Sequence, residues 1–370
     1  MLVTLVVGLM NSVSAILNGL VRRQHGLRHY LANGKGILGC LDGQKRGNDW
    51  MKEIGDETLL SAMTIPGTHD AAAYNYTGDL HEFWNCQTQP LFAQLDSGIR
   101  ALDLRYALLD GKLHFFHSIA LLDKKAEVID IVYGLHAWLQ KHPSETIVVS
   151  LKVDNGDPAG EEVQRLMGEV LDVTKAFWVE IVTTATTLKE ARGKLVLMRR
   201  FPFSRPVGFD VALDWKVNDG NFKMPLDTEG KTFAQIEDFY LLQHLAHDAE
   251  KQVEKKWDVI KAHLLRAQKA IETDPKDLWI TFSSAVGDRK LDETEDVTPR
   301  VMALGRGSVH GVNQHMKDWC AANRPKAVGI VFMDFVTVKR KTGQGEQEEL
   351  DPDLIRAFIE MNPGRTTSIP

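Results

Sequence analysis

From residue 56 onward, short apolar runs alternate with segments of helical periodicity, and this alternation constrains the fold more than any other feature. The runs cover 62–66, 99–105, 113–117, 146–152, 194–200, 234–238, 278–283 and 328–335. They are rich in β-branched and aliphatic residues on both faces, as strands of a buried parallel sheet are. The helical segments cover 88–97, 125–142, 159–172, 187–191, 244–272, 309–322 and 352–361. The longest opens on Asp248 and repeats Val253, Trp257, Ile260 and Leu264 along one face. Eight strands with helices between them predict an α/β fold of the (β/α)8, TIM-barrel type. The second and third runs lie too close in sequence for a crossover helix, so the barrel is expected to be distorted or incomplete. Lys339-Arg340-Lys341 followed by Glu346–Glu349 predicts a solvated, charged surface loop.

A chain of 370 residues suits one such barrel with insertions. The expected layout is an apolar segment over 1–21, an irregular linker over 22–55 and a catalytic barrel over 56–370. A formal charge of −6 speaks against a nucleic-acid partner, which basic surface would have to hold. Cys40, Cys86 and Cys320 form no C-x-x-C pair, so zinc is not expected and three free thiols are. Residues 1–21 carry no charge and lead into Arg22-Arg23. Asn11, Ser12, Ser14 and Asn18 interrupt what would otherwise approach a membrane span of about 20 apolar residues. Thr4, Asn11 and Asn18 fall on one side of a helix, and Leu2, Leu5, Leu9, Val13, Ile16 and Leu20 on the other. The pattern predicts an amphipathic helix, lying in a bilayer interface or packed on the domain. Val13-Ser14-Ala15 resembles a cleavage site, but the basic n-region of a secretory signal is missing. The location this implies is cytoplasmic or membrane-associated rather than secreted.

In a barrel of this type, sites form at the C-terminal ends of the strands. His69 and Asp70 follow the first run; Asp103 and Arg105 end the second; His117 ends the third. Lys152, Arg200 and Asp238 end the fourth, fifth and sixth, and Asp334 lies in the eighth. Each alone has an ordinary structural reading: Asp70 as a turn cap, Asp103 and Arg105 as a salt bridge on one strand face, Lys152 and Asp154 as solvated charges. His114, on the opposite face from His117, is expected to be a satisfied buried histidine. Only the set is specific. Two histidines, acids and an arginine around one point are the groups needed to cleave a phosphodiester without a metal. Phe83 and Trp84, in the loop after the first run, suit either lipid insertion or core packing.

Pro66-Gly67-Thr68-His69-Asp70, the segment Gly98-Ile99-Arg100-Ala101-Leu102-Asp103-Leu104-Arg105, the His117 segment and Pro143-Ser144-Glu145-Thr146 running on to Lys152 resemble the X domain of phosphatidylinositol-specific phospholipase C. The resemblance covers roughly 55–362 and is densest over 62–152. It implies attack by the inositol 2-hydroxyl on phosphorus, with diacylglycerol expelled and a cyclic inositol phosphate opened afterwards by water. His69 would be the base, oriented by Asp334, and His117, coupled to Asp70, the acid. Asp103 would orient Arg105 or the histidine, and Lys152, Arg200 and Asp238 would line the head-group pocket. Arg105 stands where calcium-dependent members carry a metal-shell acid, which implies the metal-independent, bacterial-type branch: no cofactor, calcium included. The implied partner is a phospholipid membrane surface, the substrate phosphatidylinositol or a glycosyl-phosphatidylinositol anchor. Two departures stand out: Ala71 where those enzymes usually carry serine, and Ser118 where glycine is common. The alternatives are a glycerophosphodiester- or sphingomyelin-type phosphodiesterase, which Arg105 disfavours, and an inert lipid- or inositol-phosphate-binding protein, which His69 and His117 disfavour.

Overall fold

The computed structural model describes residues 36–41, 49–242, 248–287, 296–342 and 345–364. The strands are β1 (Thr64–Thr68), β2 (Ala101–Leu109), β3 (Lys112–His117), β4 (Ala120–Leu121), β5 (Ile147–Asn155), β6 (Leu195–Arg200), β7 (Phe209–Asp210), β8 (Asp219–Pro225), β9 (Phe233–Asp238), β10 (Leu278–Phe282), β11 (Gly305–Arg306), β12 (Val309–His310), β13 (Gly329–Met333), β14 (Thr337–Thr342) and β15 (Gly345–Leu350). One curled sheet runs in the order β7-β6-β5-β2-β1-β13-β10-β9-β8. All its pairs are parallel except β8 with β9. The parallel staves are therefore β1, β2, β5, β6, β7, β9, β10 and β13, in barrel order. Among the described residues no ladder joins β7 to β9. The barrel is open at that seam, and β8 lies antiparallel along one side of it.

The predicted third stave has another role. β3 pairs antiparallel with β2 as a hairpin and stands off the barrel path, which is why no crossover helix fits between them. The eighth stave is instead the two-residue β7, too short to show as an apolar run. The charged segment after 337 is likewise not a loop. β14 and β15 form an antiparallel hairpin whose register sets Lys339 opposite Glu348. Opposite charges across a hairpin support it, which helical or loop patterning does not reveal.

Helices Val128–Lys141, Glu161–Val173, Ala249–Thr273, Val312–Asn323 and Pro352–Ile359 cover the sheet, close to the predicted segments. Strands β1, β10 and β13 are buried along their whole length, and the core is one continuous apolar cluster. Gly67 is required within it: a Cβ there would meet the Ala101 Cβ at 2.8 Å and the Ala101 carbonyl at 2.9 Å. The predicted amphipathic helix over 1–21 lies outside the described residues. Of the predicted linker, Ile37, Leu38, Trp50, Met51 and Ile54 are buried in the core, and Trp50 Nε1 donates to the Gly98 carbonyl at 2.9 Å. Among the described residues no helix is long and apolar enough to cross a membrane.

Candidate active site

The sheet register builds the floor of the site. Arg105 of β2 is level with Lys152 of β5, and Lys152 with Arg200 of β6. Three cations thus share one rung on neighbouring strands. Two residues lower, Asp103 is level with Ser150. The period of two puts all of these on one face of the sheet.

Carboxylates hold the cations apart. Asp103, fully buried, accepts from Arg105 Nε at 3.1 Å, Ser150 Oγ at 2.9 Å and Arg200 Nη1 at 3.3 Å. Burial works to raise its pKa, but Arg105 and Arg200 overcome this and hold it well below the carboxylate range. Asp154 accepts from Lys152 Nζ at 2.6 Å and from the Ser118 amide at 2.5 Å. Burial raises it too, and again Arg105 and Lys152 prevail, leaving it well below its usual value. Burial also lowers Lys152 and Arg200, and neighbouring Arg105 lowers Lys152 further. Arg105 itself is raised: burial opposes its charge, but Asp103, Asp154 and Asp70 surround it. Asp238 accepts from Trp215 Nε1 at 2.8 Å and lies 3.8 Å from Arg200 Nη2. The Arg200 guanidinium is 3.8 Å from the Trp215 ring centroid, a cation–π contact.

The histidines close the ring. At the end of β1 the His69 amide donates to the Met333 carbonyl at 3.0 Å, and the Ala71 amide to the Asp103 carbonyl at 2.7 Å. Asp70 between them takes a left-handed conformation, φ 41°. His69 Nδ1 lies 2.7 Å from Asp334 Oδ1, and its Nε2 lies 2.5 Å from Arg105 Nη2. A guanidinium only donates, so Nε2 is the acceptor and the proton sits on Nδ1, donated to Asp334. Asn313 Nδ2 fixes Asp334 by donating to its carbonyl at 3.0 Å. His117 Nδ1 lies 2.8 Å from the Trp84 carbonyl and so carries the proton it donates there; Asp70 Oδ2 is 3.4 Å away. Burial and the charge of Arg105 push His117 down to about 3. Burial raises Asp70 well above the carboxylate range, with Arg105 opposing. The two rings meet edge to face, centroids 6.2 Å apart.

All nine predicted site residues come together: His69, Asp70, Asp103, Arg105, His117, Asp334, Lys152, Arg200 and Asp238. Seven of them line one cavity of about 600 Å³, with Asp70 and Asp103 buried behind it. Phe83 and Trp84 are half-buried in its wall. His114 is satisfied elsewhere, its Nδ1 3.0 Å from the Ala126 carbonyl. Ser118 sits at φ 53°, a conformation that explains the glycine common there, and a serine accommodates it with strain.

Sequence reasoning passed over Asp154, whose i+2 relation to Lys152 was the available signal, and Trp215 and Cys86, for which there was none. Cys86 Sγ lies 3.8 Å from His117 Nδ1. His69, Cys86 and Asp334, and likewise Asp70, Cys86 and His117, have ligand atoms close enough to share a metal ion.

Comparison with known proteins fits this geometry. The PI-PLC X model matches residues 57–172. A 1-phosphatidylinositol phosphodiesterase of Listeria monocytogenes is 29% identical over 168 residues, 43% of this chain and 50% of that protein. One from Staphylococcus aureus is 24% identical over 208 residues, 51% of this chain and 66% of that protein. The chain thus spans about half to two thirds of the length of these curated relatives. A solved phosphatidylinositol-specific phospholipase C from S. aureus, the F249X mutant, superposes with a TM-score of 0.67 at 20% identity, covering 85% of this chain and 97% of that one. The last of these shares the barrel fold. The segment that the PI-PLC X model matches, residues 57–172, carries both histidines, Asp70, Asp103, Arg105 and Lys152.

Proposed function

We propose that this chain is a metal-independent phosphodiesterase that cleaves phosphatidylinositol, or glycosyl-phosphatidylinositol anchors, to diacylglycerol and a cyclic inositol phosphate. The observation that carries the reading is the pair of histidines facing each other in one cavity, each backed by a carboxylate, with Arg105 beside them. His69 has the tautomer a base needs: Nδ1–H held by Asp334 and a lone pair on Nε2. That lone pair is engaged by Arg105. A phosphodiester anion competes for the Arg105 donors and frees it. His69 then takes the 2-hydroxyl proton as that oxygen bonds to phosphorus. The bond from phosphorus to the glycerol oxygen breaks, and His117 protonates that oxygen. The substrate charge opposes the effect of Arg105 and returns His117 toward its ordinary range. Water then opens the cyclic phosphate with the histidines in exchanged roles.

Arg105 supplies the fixed positive charge that developing phosphoryl charge requires. Lys152, Arg200 and Asp238 face the inositol hydroxyls. Ile119, 74% exposed, follows cavity-lining Ser118, and Leu213 and Val217, 68% and 77% exposed, flank cavity-lining Trp215. These apolar side chains rim the mouth and suit contact with a phospholipid surface. Incubation with phosphatidylinositol vesicles in excess chelator, read by 31P NMR, tests the reading. Cyclic inositol phosphate that forms in chelator and is lost in His69→Ala supports it. A strict need for added metal overturns the role of Arg105, and binding without product makes the chain an inert lipid- or inositol-phosphate-binding protein.

A further inference from the structure

Cys86 is a buried thiol at the site that the proposed reaction does not use. Its backbone is pinned on both sides: its amide donates to the Ala73 carbonyl at 2.8 Å, and its carbonyl accepts from Phe335 N at 2.7 Å. Its Sγ is therefore held 3.8 Å from His117 Nδ1. Asp70 Oδ2 lies 3.4 Å from that same nitrogen. Asp70 is fully buried, yet neither carboxylate oxygen accepts a hydrogen bond. Its nearest cation is Arg105, whose Nε lies 3.5 Å from Oδ2, beyond a good hydrogen bond, so the carboxylate keeps acceptor capacity for a further partner. In tetrahedral zinc sites, with bonds of about 2.0–2.3 Å, neighbouring nitrogen and oxygen donors stand about 3.4 Å apart and nitrogen and sulfur about 3.6 Å. The two spacings to His117 Nδ1 match those edges, and the ligand atoms of Asp70 and Cys86 lie within 4.8 Å of each other.

We propose that Asp70, Cys86 and His117 form a binding site for a borderline-soft divalent cation, zinc above all, and that its occupation switches the active site off. The sequence spacing hides the site because its ligands come from three separate segments, the exits of β1 and β3 and the loop between β1 and β2. Cys86 is also near His69 and Asp334. That triad is the poorer host, because its two oxygen and nitrogen donors are bonded to each other, whereas in the first triad only His117 Nδ1 is engaged, by the Trp84 carbonyl at 2.8 Å, a bond the metal displaces. On binding, the Cys86 thiol proton and the proton that burial favours on Asp70 pass to solvent and the His117 Nδ1 proton moves to Nε2, leaving carboxylate, thiolate and imidazole nitrogen on the metal. Nothing is oxidised or reduced. Three protein ligands leave a fourth position for water, as in open zinc sites. Inhibition follows because His117, fixed through Nδ1, no longer exchanges the proton the leaving group needs. The inhibition rests on the function proposed above; the binding does not.

Zinc titrated into the full chain against a chromophoric chelator tests the binding, and cobalt reports the ligands. The expected result is one tight ion per chain and a cobalt–thiolate charge-transfer band that persists in Cys40→Ala/Cys320→Ala, where Cys86 is the remaining thiol. Cys86→Ser and Asp70→Asn should each weaken zinc by more than about 100-fold, since outer-shell changes alone cost about 10–100-fold. Asp334→Asn should leave affinity within a few-fold. No thiolate band in the double variant, or zinc affinity unchanged in Cys86→Ser, overturns the site. Affinity lost in Asp334→Asn but kept in Asp70→Asn overturns the ligand set. Tight binding with turnover unaffected overturns the switch alone, and binding is measurable even if the chain turns nothing over.

Discussion

Lys256 and Glu237 are as deeply buried as Asp70 and Asp103, but the two clusters are built differently. Lys256 Nζ donates to Glu237 Oε1 at 2.8 Å, the Phe239 carbonyl at 2.7 Å and the Phe282 carbonyl at 2.6 Å. An ammonium has three donors, and all three are engaged inside the protein. That cluster ties helix Ala249–Thr273 to β9 and β10 and lies outside the lining of the active-site cavity, although Glu237 Oε2 is left without a hydrogen bond. At the barrel mouth the groups face a cavity. Asp70 accepts no hydrogen bond, Arg105 touches His69 where a substrate anion would compete, and both histidines line open space. Buried charge and an unpaired carboxylate oxygen are common to both; histidines and cations that line a cavity belong to one. That second property marks chemistry, because only such groups are placed to bond a ligand.

Breaking each cluster should therefore give different losses. The largest is expected at the mouth: His69→Ala and His117→Ala should each lower kcat about 10²–10⁴-fold, with the melting temperature nearly unchanged. A fall in stability in place of activity would make the mouth cluster structural, like the other. Next, Lys256→Met should cost about 3–5 kcal/mol in urea unfolding, because it strands a buried carboxylate. Lys256→Met/Glu237→Leu should recover much of that, and zinc affinity should stay constant throughout.

A pH titration of stability separates the regions further. His117 at the mouth and His263 beneath the closed cluster, its Nδ1 3.0 Å from Thr281 Oγ1, are both pushed down to about 3, chiefly by burial. Their unfolded values near 6.5 lie higher, so below that pH the unfolded chain binds more protons. Their contribution is complete above about pH 6.5 and is lost progressively as pH falls toward 3, at about 1.4 kcal/mol per pH unit for each. Saturating inositol phosphate should relieve the His117 share alone, halving that slope; an unchanged slope would place His117 away from the bound phosphate. The smallest effect is expected of Asp154→Asn. Losing its charge and one of its two acceptor oxygens, which receive Lys152 Nζ and the Ser118 amide, loosens Lys152 and Arg105 and should raise KM about 10-fold with little change in kcat.

The staves and the covering helices were legible because each is a local pattern. Runs of apolar residues on both faces announce buried parallel strands, and the carboxyl ends of those strands are where such a fold places chemistry. All nine candidate residues were found that way, together with the hint that the barrel was irregular. Where the pattern is short or ambiguous, the reading erred: β3 turned out to be a hairpin arm, the two-residue β7 went unseen, and the charged run after 337 became β14 and β15. Strand partners are a property of pairing, and no single segment encodes its own.

By itself, then, the sequence determined the strand–helix alternation, the resemblance to the X domain over 57–172 and the identity of the groups at the mouth. Tertiary structure alone decided how they meet. Asp334 reaches His69 across 265 positions because β13 and β1 are neighbours in register. Arg105, Lys152 and Arg200 share a rung because three parallel strands align there. Cys86, unremarkable in the chain, is set against His117 by two backbone hydrogen bonds from distant segments. Residue type is written along the chain, whereas distance, burial and the charge of neighbours arise only when the sheet curls and brings separate segments within a few ångströms.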